Sequence, residues 1–181
     1  TYSWTNSNSS IGIAASGTGN IASFNATNSS NAPITATITV TPTFTNGGVS
    51  CTGTAQSFTL TVNPTAVVNT VSSQTVCAGS SNSAVTFSSP VAGTTYSWTN
   101  SNPSIGLAAS GTGNVPSFVA VNPSPNAINA TITVTPNTAA GCIGQSITYA
   151  ITVNGLSVAP TAIINPTPIV CANNAFATLN V

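Results

Sequence analysis

Few side chains in this sequence could do chemistry, and its cysteines are the most reactive of them. Cys51, Cys77, Cys142 and Cys171 are separated by 25, 64 and 28 intervening residues. Zinc sites use closely spaced pairs such as C-x2-C, often with histidine, and this chain has no histidine. Widely spaced cysteines favour disulfides in an oxidising compartment, which predicts an extracellular or cell-surface protein.

Acid–base chemistry is excluded by composition, because the 181 residues include no Lys, Arg, Asp, Glu or His. Ser and Thr are abundant, but a hydroxyl nucleophile needs a neighbouring base to activate it. Calcium prefers carboxylate ligands, and nucleic-acid binding needs cationic side chains for the phosphates. No apolar run approaches the length of a membrane span. We therefore expect no enzyme, no cofactor or metal, no nucleic-acid partner and no membrane insertion.

A long internal repeat dominates the organisation of the chain. Residues 2–20 and 96–114 differ at two of nineteen positions, at an offset of 94. Later in the repeat the offset falls to 91, where Cys51 aligns with Cys142, and it returns to 94 where Cys77 aligns with Cys171. The repeat predicts three parts: residues 1–64 as a unit without its first strands, residues 65–155 as a complete unit, and residues 156–181 as the first strands of a following unit.

The apolar residues alternate with Thr and Ser at a period of two, which is typical of half-buried β-strands. In residues 65–155 this predicts about seven strands, near 67–71, 74–77, 84–88, 95–100, 115–121, 128–136 and 146–153. That number of short alternating strands favours an all-β fold of tandem immunoglobulin-like antiparallel β-sandwiches. We expect Trp4, Trp98, Tyr2 and Tyr96 to lie in the cores. Sugar stacking on the tryptophans is the alternative.

Two further motifs have structural and functional interpretations. Ser110-Gly111-Thr112-Gly113-Asn114, repeated at residues 16–20, could form a phosphate cradle, but no Lys follows it and a glycine turn between strands is favoured. Rows of Thr at 35–41 and 131–135 could bind ice or polysaccharide, and we interpret them as the solvent face of a strand.

The combined motifs Q-T-V-C-A-G-S, Y-S-W-T-N-S-N-P-S-I-G-L-A-A-S-G-T-G-N, A-T-I-T-V-T-P and I-T-V-N resemble tandem PKD-like repeats of very large cell-surface proteins of Bacteroidetes-type bacteria. The resemblance covers nearly the whole chain and implies an exported array of sandwiches that serves as a stalk, adhesin or filament. PKD domains typically carry an acidic turn after the tryptophan. Here Thr99-Asn100-Ser101-Asn102 follows Trp98, so no acidic or calcium-linked property is carried over.

The repeat suggests a pairing for the cysteines. Cys77 and Cys142 are the pair within residues 65–155, which predicts an intradomain bridge, while Cys51 and Cys171 would bridge to a neighbouring repeat or subunit. The partners could come from one long covalent array or from separate subunits joined head to tail, in which Cys171 of one bridges Cys51 of the next. A direct bridge between Cys51 and Cys77 is a third alternative.

The absence of charged side chains and the internal repeat together suggest a structural function. Sheet proteins usually guard exposed strand edges with charged side chains, which this chain lacks. Either other copies of the chain cover the edges or glycans coat them, and four N-x-S/T motifs occur at Asn8, Asn25, Asn28 and Asn129. Our hypothesis is a structural repeat of an extracellular filament or cell-surface stalk, assembled head to tail by completion of a β-sandwich. A carbohydrate-binding adhesin module is the alternative.

Overall fold

A computed structural model describes residues 1–156 of the chain. The segment predicted as the start of a following unit, with Cys171, lies outside the described residues. We call residues 1–64 the first unit and residues 65–155 the second unit. The described chain is all-β, apart from single turns of 3-10 helix at Ser9–Ile11 and Pro103–Ile105.

Ten strands form two five-stranded sheets, one in each unit. The first sheet contains β1 (Tyr2–Asn6), β2 (Ser16–Thr18), β3 (Ile34–Asn46), β4 (Val49–Thr52) and β5 (Gln56–Val62). The second sheet contains β6 (Gln74–Cys77), β7 (Thr95–Asn100), β8 (Ser110–Thr112), β9 (Ile128–Asn137) and β10 (Ile147–Asn154).

In the first sheet, β3 is the central strand, and all its pairings are antiparallel. It pairs with β1 on one side, where Trp4 lies opposite Val40, and with β5 on the other, where Ile38 lies opposite Phe58. The end of β3 extends past β5 and pairs with β4, which forms a projecting hairpin. Side chains of alternating residues therefore share one face across β1, β3 and β5.

The second sheet repeats this plan in the order β6-β10-β9-β7-β8. Strands β7, β8, β9 and β10 correspond to β1, β2, β3 and β5 of the first unit. The additional strand β6 runs parallel to β10, with Cys77 opposite Asn154. Within residues 1–156, the first sheet has no strand equivalent to β6 beside β5.

The sequence predicted four of the strands in the second unit well, namely β6, β7, β9 and β10. Three predicted strands are wrong as regular elements: segments 67–71, 84–88 and 115–121 are irregular, and the last two are joined by the isolated pair Val85–Val115. The short strand β8 lies where a turn was expected. These irregular segments supply the layer that packs on the second sheet.

The two cores differ in size although their sheets match. The second core contains fifteen buried hydrophobic residues and the first contains five. The residues of the first core are Trp4, Ile11, Ile13, Ala36 and Ile38. Since four of the five sheet strands correspond between the units, the layer over the sheet accounts for the difference.

Candidate assembly surface and the cysteines

The apolar face of the first sheet is partly uncovered, and we call this surface the open face. It consists of Tyr2, Val40, Phe58, Leu60 and Val62, which share one side of β1, β3 and β5. None of the five is classed as buried, and Tyr2 is 57% exposed. Tyr2, which was predicted in the core, is not buried within the described chain. The alternation of a strand fixes which face a side chain takes but not whether a second layer covers it.

The equivalent face of the second sheet is covered. Tyr149 is 4% exposed, whereas Phe58 at the equivalent position is 47% exposed. The positions equivalent to Leu60 and Val62 are Ile151 and Val153, and both are fully buried. Tyr96, the equivalent of Tyr2, is half-buried against the core. The same strand positions therefore lie in water in one unit and in a core in the other.

Residues 65–88 supply the cover in the second unit. Val68, Val85 and Phe87 from this segment are buried in the core. The Phe87 ring lies 5.5 Å from the Tyr96 ring and 6.5 Å from the Tyr149 ring, measured between centroids, so it packs over the sheet between β7 and β10. Aromatic pairs at such distances add to the free energy gained from apolar burial.

Hydrogen bonds fix this cover to segment 114–120, in addition to the pairing of β6 with β10 in the sheet. The bonds join the backbones of Val85 and Val115 in both directions, at 2.9 and 3.1 Å, and of Gly79 to Ala120 at 2.8 Å. Side-chain amides take the place of backbone carbonyls elsewhere: Asn82 Oδ1 accepts from Phe118 N at 2.7 Å, and Asn114 Oδ1 accepts from Phe87 N at 3.0 Å. Asn82 is buried, and a buried polar group must be paired, so its bonds help to define the position of the cover.

The first unit has the surface to which a cover would bind, but its described residues include no cover. Segment 20–26 corresponds to segment 114–120, and among the described residues its backbone makes none of the equivalent bonds. A groove of about 560 Å³ lies along Tyr2, Trp4, Asn20, Ile21 and Val40. A second groove of about 200 Å³ runs beside Ile13, Ile21 and Phe24. The open face thus has room for apolar side chains and unpaired backbone groups beside it.

The two tryptophans lie in the cores, at 8% exposure for Trp4 and 5% for Trp98. Gly17 and Gly111 on the neighbouring strands lie directly against the indole rings, where an added Cβ would overlap the ring. The glycine motif predicted as a turn therefore also has a packing role, while Gly113 makes the turn itself with a φ of 70°. Both indoles are thus largely buried against glycine, and Trp4 also lines the groove of about 560 Å³.

A buried asparagine that the sequence analysis missed holds the corner after β1 and β7. Asn100 Nδ2 donates to the carbonyls of Leu107 at 3.0 Å and Ala108 at 3.3 Å, and its Oδ1 accepts from Asn102 N at 2.9 Å. Asn6 makes the equivalent bonds in the first unit. The signal for this role was the T-N-S-N motif that occurs in both units.

The structure separates the described cysteines, and each is a free thiol. Cys77 ends β6 beside Asn154, at the end of β10, while Cys142 lies in the hairpin before β10 begins. The eight residues of β10 span about 23 Å at about 3.3 Å per residue, whereas disulfides need Cα atoms within about 7 Å. The predicted intradomain bridge between Cys77 and Cys142 does not fit this fold, because the two lie at opposite ends of the sheet.

Cys51 has no partner within the described chain either. It lies opposite Phe44 in the hairpin that projects from the first sheet, which is the equivalent of the Cys142 hairpin. The other end of the first unit, at Asn63, meets the hairpin of Cys142, and Cys77 lies at the far end of the second unit. A bridge between Cys51 and Cys77 within one chain therefore does not fit this fold, because both units lie between them. The predicted bridge between Cys51 and Cys171 of a neighbour involves a residue outside the described range.

Two tyrosines of the second unit have a raised pKa. Burial raises the pKa of Tyr149 from 10.0 to about 12, and its hydroxyl has no hydrogen-bond partner. Burial also raises the pKa of Tyr96, and a hydrogen bond from Ser89 acts in the opposite direction. The equivalent of Tyr149 in the first unit is Phe58, so this titration belongs to the second unit.

No group of three or more metal-ligating side chains occurs in residues 1–156. In the same range, no helix has the length and hydropathy needed to cross a bilayer.

Comparison with known proteins gives one result. A search of the curated proteins finds no match. The family of PKD-like domains matches residues 74–156, which is β6 to the end of the described chain. Domains of this family are generally non-catalytic and are typically extracellular or on the cell surface. The all-β fold of the described residues agrees with this match, and residues 74–156 are similar to PKD-like domains.

Proposed function

We propose that this chain is a structural repeat of an extracellular filament or cell-surface stalk, and that the open face is covered by a segment equivalent to residues 65–88 from another copy of the repeat. The observation that carries the proposal is the contrast between Phe58 and Tyr149, which are equivalent in sequence and opposite in exposure. The second unit supplies its own cover. The first unit has the matching face and grooves.

The sequence of residues 156–181 supports this choice of partner. At the offset of 94 set by Cys77 and Cys171, Leu179 and Val181 align with Val85 and Phe87, which are buried in the cover of the second unit. The sequence therefore has apolar residues at the two positions that are buried against the sheet in the second unit. The segment could come from a separate subunit or from another stretch of one longer array, and the contacts would be the same.

The free energy of this contact has two sources. Burying a large apolar side chain such as Phe58 or Leu60 is worth about 1.5–3 kcal/mol when complete. A strand added beside β5 would also pair the backbone groups of a free edge, as β6 does for β10. Because the chain has no ionisable Lys, Arg, Asp, Glu or His, neither step removes charged side chains of these types from water.

Assembly of this kind continues along one direction. The cover and the face are different surfaces, so each copy can give one contact and receive one, and a head-to-tail contact that does not close on itself produces a fibre. The extracellular location typical of PKD-like domains is consistent with a filament or stalk. We expect the sandwiches to appear as beads in series.

The test is electron microscopy of the full 181-residue chain with two matched variants. Leu60→Lys places a charge on the open face, whereas Thr59→Lys places the same charge on the opposite, exposed face of β5. We expect beaded fibres from the original chain and from Thr59→Lys, and dispersed particles from Leu60→Lys. Fibres that survive Leu60→Lys, or an original chain that stays monomeric at high concentration, would contradict the proposal.

A further inference from the structure

We propose that the cysteines link consecutive copies across the junctions between units, with Cys77 of one copy bonded to Cys51 of the next. This inference rests on the proposed head-to-tail assembly and adds the covalent partners within it. It replaces both the intradomain bridge and the predicted bridge from Cys51 to Cys171.

The junction between the two described units is the template. The end of the first unit, at Asn31–Pro33 and Asn63–Pro64, meets the hairpin Thr138–Ala140 of the second unit around a cavity of about 320 Å³. Cys142 belongs to this hairpin, since its backbone bonds to Thr138 in both directions. Each unit thus presents a cysteine-bearing hairpin to the unit before it.

At a junction, the end of the preceding unit also has a position for a cysteine, the one that Cys77 occupies in the second unit. In the second unit, Cys77 lies beside Asn154, at the end where the unit leads into residue 155. Asn154 is equivalent to Asn63, which lines the junction cavity. A cysteine in the Cys77 position therefore stands one strand spacing, about 4.8 Å, from a residue that touches the next hairpin.

The projecting hairpin of the first unit shows the matching feature at its free end. Cys51 and Phe44 lie directly opposite each other, so they share a face with Val49. Phe44 is 70% and Val49 is 68% exposed, which is unusual for large apolar side chains. The equivalent hairpin in the second unit packs at the junction, where Thr138 and Val91 are buried. Packing of the first hairpin on the end of a preceding copy would cover Phe44 and bring Cys51 to Cys77.

Each copy then has one bridge to the copy before it, through Cys51, and one to the copy after it, through Cys77. In each bridge, two thiols become one disulfide while the disulfide of a small-molecule oxidant or an oxidoreductase is reduced to two thiols, so atoms and electrons balance.

The test uses the full chain, mixed in equal amounts as unlabelled and isotopically heavy protein, assembled with oxidised glutathione and digested with pepsin. We expect a Cys51–Cys77 peptide in which half of the molecules carry mixed labels, and a ladder on non-reducing gels. The double variant Cys77→Ser with Cys142→Ser should lose the ladder and keep the fibres.

The outcomes separate this inference from the proposed function. Fibres whose thiols remain free after oxidation, or a peptide that joins Cys77 to Cys142, would overturn the bridge assignment and leave head-to-tail assembly intact. A Cys51–Cys77 peptide without mixed labels would also overturn it, because the bond would lie within one chain. A chain that forms neither fibres nor a ladder would overturn both.

Discussion

The two units of this chain share a sheet and differ in what covers it. Trp4 and Trp98, the glycines beneath them and the corner asparagines occupy equivalent positions with equivalent contacts. The face around Phe58 is half in water, while the face around Tyr149 is enclosed. The repeat therefore encodes the sheet in each unit, whereas a closed core also requires the segment that precedes that sheet in the repeat.

The largest difference is expected where an enclosed residue corresponds to a half-exposed one. Ile151→Ala should destabilise the second unit by about 3–4 kcal/mol, because it leaves a cavity in a closed core. Leu60→Ala at the equivalent position should cost the unassembled first unit about 1 kcal/mol, since less apolar surface is lost from contact. Urea unfolding of the dilute chain, followed by hydrogen exchange in each unit, would measure both. Equal costs would mean that the two faces are equally covered.

Alkaline pH should act on the second unit more than on the first. The unfolded Tyr149 ionises near pH 10 and the folded one near pH 12, so stability is full below pH 10 and falls as the pH rises towards 12. The loss should be on the order of 2 kcal/mol. Tyr149→Phe reproduces the residue of the first unit and should remove most of this loss, with Tyr96 accounting for the rest. A pH-independent melting temperature up to pH 12 would disprove the burial of this hydroxyl.

The smallest difference is expected at the corner asparagines. Asn6→Ala and Asn100→Ala each remove a buried amide with two donor bonds and one acceptor bond. Each should cost about 2 kcal/mol, since the partner carbonyls lose their donors. The two costs should agree, because the corner does not depend on the cover. A much smaller cost for Asn6→Ala would show that the first unit is loosened throughout and not only at its open face.

The sequence predicted the sheets better than the layer over them. The alternation of apolar and polar residues predicted β3, β7, β9 and β10. A strand with one buried and one exposed face has this period of two in its sequence. Segments 84–88 and 115–121 alternate in the same way, yet Asn82 and Asn114 side chains replace part of the backbone pairing, and a side-chain amide leaves no periodic signal.

The cysteine pairing could not be predicted for a different reason. The order Cys77, Trp98, Cys142 resembles that of a domain with a bridge between its sheets, but order does not show at which end of a sheet a residue lies. The parallel pairing of β6 with β10 puts Cys77 at the end opposite Cys142. The exposure of Tyr2 was not predicted for a similar reason. The position of a residue in a strand shows which face of the sheet its side chain is on, but not whether other residues cover that face.

Hydrogen exchange along β5 would show whether a strand from another copy completes the first unit. In the dilute chain, the amides of Gln56–Val62 that do not point towards β3 should exchange rapidly, while the equivalent amides of β10 that point towards β6 are protected. On assembly of the full chain, the β5 amides should become as protected as those of β10. Fibres in which these β5 amides continue to exchange rapidly would contradict completion of the first unit by a strand from another copy.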